Sequence, residues 1–261
     1  MKIICDTNIW YKIECGEFKK EAWEPNSLVA TNLNLFELSL TPRLIDQTEY
    51  VSKIVRTLHD EHSLIIDMSP MDYIIKKQYP DRSSQDKQFG EMLEGFEKLM
   101  SVDFEKVDDD LLSAEQQKFR PHIESWRKSL DKISEDVNNL LPEVRANIKK
   151  TTNKRTHRAV NSLPIFADIL NLMVQSYTEG KLQLDIETYP WSEIELFVRV
   201  WDNYFKDLEL TPGQKFHPND WFDLFNLVYV DPQAKYWTHE KKWIEIISRD
   251  QSTKHYLFIP N

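Results

Sequence analysis

The run Lys2-Ile3-Ile4-Cys5-Asp6-Thr7-Asn8-Ile9-Trp10 decides how this chain is read. Ile3, Ile4 and Cys5 lead straight into an aspartate, and the apolar run is too short for a helix, so it reads as a buried strand. Asp6 falls where that strand stops, with Thr7 or Asn8 as the N-cap of the next helix. In open α/β sheets, ligands bind in the crevice beyond the carboxyl ends of the strands. A carboxylate one residue past an apolar strand is therefore a candidate metal ligand or general base. The plain alternative is an aspartate that ends a strand and caps a helix.

Working outward, Ile9 to Phe18 reads as a short helix with Trp10, Ile13 and Phe18 inward, broken by Pro25 and Asn26. Leu28 to Thr31 reads as a second buried strand, and Thr31 or Asn32 can cap the helix that carries Glu37. Asp6 and Glu37 stand 31 residues apart, about one strand-helix-strand unit, which brings the ends of both strands to one cleft. Taken alone, a glutamate in a first helical turn is ordinary dipole complementation. An amphipathic helix follows from Arg43 to Glu61. Ser63 to Met68 is then a third strand, stopped by Pro70. Strands alternating with helices point to a parallel α/β sheet.

From about residue 71 to 215 the pattern is almost wholly helical. Phe89, Leu93, Phe96 and Met100 share one face. Phe119, Ile123, Trp126, Leu130, Ile133, Val137, Leu140 and Val144 recur at steps of four and three, a heptad seam that Pro142 should kink or end. Such a seam packs against a helix of the same chain or against a second copy. Lys149 to Arg158 carries Lys149, Lys150, Lys154, Arg155 and Arg158 with no acid. It reads either as a patch for phosphates or as a solvated loop. Helices follow over Val160–Tyr177 and Ser192–Leu208.

Near the end, Asp220 and Asp223 are three apart and project from one side of a helical turn that opens an apolar helix, Leu224 to Val230. Either could be a capping acid. Lys235 to Thr238 reads as a strand running into Thr238-His239-Glu240, and His255 to Ile259 as a terminal strand closed by Pro260.

Composition narrows the classes. The 5 glycines form no GxGxxG or GxxxxGK[ST] loop, which argues against a glycine-rich nucleotide site. A net charge of −10 makes the chain a poor non-specific binder of nucleic acid, so such binding needs a local basic patch; it equally suits carboxylates gathered around divalent cations. Cys5 and Cys15 have no metal-like spacing and fit inert thiols in a reducing compartment. There is no charged leader with an apolar core and no apolar run of about 18 residues. The expectation is a soluble, cytoplasmic protein that does not enter membranes.

Taken together, these stretches resemble the PIN-domain family of metal-dependent nucleases, which includes toxin-type ribonucleases. The resemblance rests on a strand ending in Asp6-Thr7-Asn8, a second strand followed by Phe36-Glu37-Leu38, a helix opening with Asp220 or Asp223, and a strand ending in Thr238-His239-Glu240. It covers about residues 1–75 and 215–261 as a nuclease core, with 71–215 as a helical insertion that the minimal fold lacks. Glu240 stands where aspartate is commoner in the family. The resemblance implies an α/β fold, a parallel sheet of order 3-2-1-4-5 flanked by helices. It also implies a Mg²⁺ or Mn²⁺ site built from Asp6, Glu37, Asp220 or Asp223, and Glu240, with Asn8 and Thr238 orienting the acids. Of the two aspartates, Asp223 better matches the family's interval to Thr238, leaving Asp220 as auxiliary ligand or cap. Hard cations take oxygen ligands and keep waters, and without them the gathered acids repel one another. The activity that the resemblance implies is hydrolysis of phosphodiester bonds in single-stranded RNA, with DNA as the alternative substrate and a cognate inhibitor protein as a further partner; it leaves the oligomeric state open. Two alternatives stand beside it. One is a PIN-like module that binds RNA or protein without cleaving. The other, a phosphatase of the haloacid dehalogenase type, wants a second aspartate where Asn8 stands.

Overall fold

The computed structural model describes residues 1–82, 88–104, 106, 109–151 and 163–260. Four parallel strands, β1 (Lys2–Cys5), β2 (Ser27–Thr31), β3 (His62–Ile66) and β4 (Ala234–Trp237), form one sheet in the order β3-β2-β1-β4. The opening strand is central, with Ile4 level with Val29 on one side and Tyr236 on the other.

A parallel sheet needs both faces covered, and the period of two along each strand sorts its residues into two cores. Ile4, Val29, Ala234 and Tyr236 join one cluster; Ile3, Cys5, Leu28, Ala30 and Trp237 join the other. The second cluster is closed by α1 (Thr7–Glu14), α2 (Asn32–Leu40), α4 (Thr48–Glu61) and α6 (Gln88–Ser101), through residues such as Trp10, Leu38, Ile54 and Phe96. The first is closed by α5 (Pro70–Gln78), α7 (Asp109–Thr151), α8 (Leu163–Tyr177), α9 (Glu195–Leu210), α10 (Asp220–Asn226) and α11 (Lys241–Arg249). Ile74, Leu141, Phe166, Phe197, Leu224 and Trp243 carry that closure. Residues 71–215 thus add no strand among the described residues, and several of their helices share one core with the sheet.

Several elements differ from the sequence expectations. The terminal strand over His255–Ile259 does not form. Lys254–Tyr256 is a 3₁₀ turn, and the segment meets the sheet only at a parallel bridge between Leu257 and Tyr236, so the order 3-2-1-4-5 is not completed. Tyr256 and Phe258 pack into opposite clusters, which fixes the segment by side chains rather than by a ladder. Helix α1 stops at Glu14 rather than Phe18, because Gly16 takes φ +76°, the left-handed conformation that ends helices. The helix expected over Arg43–Glu61 splits into α3 (Arg43–Asp46) and α4, since Gln47 leaves helical angles at φ −143°. Pro70 opens α5 at its first position, where a missing N–H costs nothing. Pro142 does not end α7, which runs through both Pro121 and Pro142. Anchors on either side hold it: the Asn138 side chain pairs with both backbone groups of Phe216, and Arg145 donates to the carbonyls of Leu208 and Gln214.

The heptad seam also slips. Ile123 is buried, but Leu140 is 62% exposed while Leu141 is 5% exposed. At about 3.6 residues per turn, Leu141 lies five full turns after Ile123 and shares its face, while Leu140 is turned about 100° from it. The side chains of Phe89, Leu93, Phe119, Trp126 and Ile133 lie outside what the structure describes. So do those of Lys149 and Lys150, and Lys154, Arg155 and Arg158 fall outside the described residues altogether. No helix among the described residues is long and apolar enough to cross a membrane.

Candidate metal centre

Asp6 sits one residue past β1, its backbone N–H bonded to the Trp237 carbonyl of β4 at 2.9 Å. It, rather than Thr7 or Asn8, occupies the N-cap position of α1, yet its carboxylate makes no capping bond. Asn8, through its backbone N–H and side chain, still favours the charged form of Asp6, so its place at the helix start and its place among the acids go together. The carboxylate is 3% exposed and accepts a 2.7 Å bond from the Thr238 hydroxyl at the end of β4. The same hydroxyl accepts the Glu240 backbone N–H at 3.1 Å, so Thr238 ties two acids to one strand end. Asn8 donates to Glu240 Oε1 at 2.9 Å. Asp223, 8% exposed on α10, completes the group: Asp6, Asp223 and Glu240 each bring a carboxylate oxygen within 4.8 Å of the others.

Glu37, on α2, is half-buried and does not join that group at this distance, but its charge acts on it. Burial, then the charges of Asp6 and Glu240, push the Glu37 carboxyl up to about 7 against the neighbouring Thr7 side chain. Burial and Glu240 push Asp6 up to about 6 despite its bond to Thr238. Asp223 is raised well above the carboxylate range by burial, then by Asp6, Glu240 and Glu37. Among the described residues, none of these four acids has a Lys or Arg within salt-bridge distance.

Asp220 is placed differently. It is 3% exposed and does not join the group. One oxygen pairs with the Lys242 ammonium; the other accepts from the Tyr204 hydroxyl and, at 2.9 Å, from the His217 N–H. Of the five acids expected at the site, three converge, Glu37 stands at their edge, and Asp220 is taken up by a lysine.

The sequence reading missed the support behind Asp6. Asn34 on α2 and Asn226 on α10 both donate to the Cys5 carbonyl, at 3.1 and 3.2 Å. The Thr31 hydroxyl donates to Asn226 Oδ1 at 2.8 Å, and Thr31 caps α2 through a reciprocal pair with Asn34. Each asparagine lies three residues from an acid on its own helix: Asn34 before Glu37, Asn226 after Asp223. That spacing was the available signal. Tyr236 was also missed. Its register beside Ile4 puts it on the Asp6 face, and its fully buried hydroxyl makes no hydrogen bond among the described residues. Burial and the charges of Asp6 and Asp223 raise its pKa, so the phenol stays protonated.

The donor set fits a hard divalent cation. It offers carboxylate oxygens with no sulfur or imidazole, gathered closely enough to repel and, among the described residues, with no Lys or Arg in salt-bridge reach. No protein-family model matches the chain, and no curated protein or solved structure matches it.

Proposed function

We propose that the chain is a PIN-like, divalent-metal-dependent nuclease that hydrolyses phosphodiester bonds in single-stranded RNA. The observation that carries this reading is the convergence of Asp6, Asp223 and Glu240 beyond the carboxyl ends of β1 and β4, with no Lys or Arg partner among the described residues. Asp6, Asp223 and Glu240 would hold Mg²⁺ or Mn²⁺, with Glu37 at the margin. A bound ion of this kind supplies an activated water and neutralises charge developing on phosphate oxygens. Thr238 holds Asp6 and the Glu240 backbone in register, and Asn8 fixes the Glu240 carboxylate. Asn34 and Asn226 hold the Cys5–Asp6 peptide from behind, so the acids do not need to reorganise when a substrate arrives.

The test is cleavage of end-labelled single-stranded RNA by the purified chain with Mn²⁺ or Mg²⁺, against chelator and against Asp6→Asn. Cleavage should need the cation and fall to the mock-purified background in the variant. Cleavage that persists in Asp6→Asn removes the proposed mechanism. A wild type that binds RNA and Mn²⁺ but cuts nothing is a binding module instead.

A further inference from the structure

The ion pair between buried Asp220 and half-buried Lys242 is outside the acid group, yet it joins the two segments that carry two of its members. Asp220 opens α10, one turn before Asp223. Lys242 lies in the first turn of α11, two residues after Glu240, which is that helix's N-cap. Their ion pair therefore spans from the turn bearing Asp223 to the turn bearing Glu240.

The surroundings hold the pair in one geometry. Asp220 has the Tyr204 hydroxyl and the His217 N–H on its second oxygen, so both oxygens are engaged. The Lys242 ammonium lies 5.0 Å over the Tyr204 ring and 4.3 Å over the Trp243 ring. Those rings pack edge to face with centroids 5.1 Å apart, and both residues are buried. Cation–π contacts and charge-assisted bonds reinforce one another when little water competes. With Tyr204 on α9, three helices meet at one ion pair.

We infer that Asp220 and Lys242 are positioning residues that set the separation of Asp223 from Glu240, and that Asp220 is not itself a metal ligand. This rests on the reading of the acids as a cation site. Three carboxylates that repel one another need an outside constraint to stay converged without an ion, and this pair joins the two helix starts on which Asp223 and Glu240 sit. Groups that orient metal ligands typically change metal affinity by about 10- to 100-fold when removed.

The experiment is Mn²⁺ titration by calorimetry at 25 °C on wild type, Asp220→Asn, Lys242→Met, Lys242→Arg and the double variant Asp220→Asn/Lys242→Met, with thermal melts in chelator alongside. Each single neutralisation should weaken Mn²⁺ by about tenfold, the double variant by no more than either alone, and Lys242→Arg should restore most of the affinity. The double variant leaves no orphan buried charge, so it reports even where a single variant fails to fold. Loss in Asp220→Asn with none in Lys242→Met would make Asp220 a ligand and overturn the inference. Lower melting temperatures with unchanged Mn²⁺ affinity would overturn it as well, reducing the pair to a structural one. A wild type that binds no Mn²⁺ removes the cation site first, and the clamp with it, which separates that failure from the other two.

Discussion

The first turn of α10 buries two aspartates three residues apart, and their surroundings treat them in opposite ways. Asp220 meets a lysine, a tyrosine hydroxyl and a backbone N–H. Asp223 meets Asp6, Glu240 and, further off, Glu37. A buried charge is tolerated when paired and hydrogen-bonded, and costs several kcal/mol when not. The fold satisfies the first carboxylate internally and sets the second among like charges, which a proton or a bound cation would offset. The same residue type, one helical turn apart, is structural in one case and a candidate ligand in the other, and the difference is made entirely by what the remaining elements bring to it.

The widest test of that contrast is a pair of isosteric substitutions read by urea unfolding at pH 7 in chelator. Asp220→Asn strands Lys242, whose side chain is one-third exposed, and weakens the bonds from Tyr204 and His217. The expected loss is roughly 2–3 kcal/mol, below the figure for a fully buried pair. Asp223→Asn removes a repelling carboxylate and should stabilise the metal-free chain by about 1 kcal/mol. Opposite signs are the prediction; two losses of similar size would mean that Asp223 is satisfied by a partner in the same way as Asp220.

The pH dependence sharpens the contrast. Asp6 is raised from 3.8 to about 6 and Glu37 from 4.5 to about 7, so the folded chain holds more protons than the unfolded one between those limits. Where the folded state binds more protons, unfolding free energy falls as pH rises. The stability tied to neutral Asp6 is fully present below pH 4 and lost by about pH 6 to 7, amounting to about 3 kcal/mol. In chelator, Asp6→Asn should gain on wild type by about 2 kcal/mol between pH 4.5 and 7.5, since part of the loss lies below that range. Parallel profiles would show that burying the Asp6 charge costs the fold nothing.

How much of this was legible follows the range of the interactions involved. The opening strand, Asp6 at its end and Thr31 as a cap were readable because each is set by neighbours within a few residues. The choice between Asp220 and Asp223 was not settled by their local pattern, since both occupy one side of one turn. Asp220's partners stand 16 residues before it and 22 after, and only the packing of α9 and α11 brings them in. The missing strand over His255–Ile259 has the same origin: an apolar run specifies burial, and here Tyr256 and Phe258 find it on opposite faces without a ladder. Asn34 and Asn226 are ordinary helix residues until the strand end supplies the Cys5 carbonyl that both bind.

Cation binding should move melting by a comparable amount. At a Mn²⁺ concentration about 100 times its Kd, the folded state gains about 2.7 kcal/mol. For a chain of this length that raises Tm by roughly 5–10 °C. Asp6→Asn and Asp223→Asn should lose the shift, whereas Glu37→Gln, at the edge of the group, should keep part of it. A full shift in Asp223→Asn would place the cation elsewhere.

The smallest effect expected is at Asn8, and it tests how far the site depends on its rim. The Asn8 side chain is exposed and makes a 2.9 Å bond to Glu240 Oε1. The Glu240 backbone is separately held through Thr238, which is buried. Removing the Asn8 amide therefore frees the end of the Glu240 side chain but not its origin. A net hydrogen bond of about 1 kcal/mol corresponds to a loss of roughly fivefold in Mn²⁺ affinity for Asn8→Ala, with Tm in chelator unchanged. Asn8→Asp makes the sharper comparison, because it keeps the shape, removes the donor and adds a carboxylate beside Glu240. It should lower Tm in chelator through like-charge repulsion and regain stability when Mn²⁺ is added. Calorimetry and melting on the two variants check both expectations. If neither variant differs from wild type in Mn²⁺ affinity, Glu240 is held by its backbone alone, and Asn8 has no part in orienting the acids.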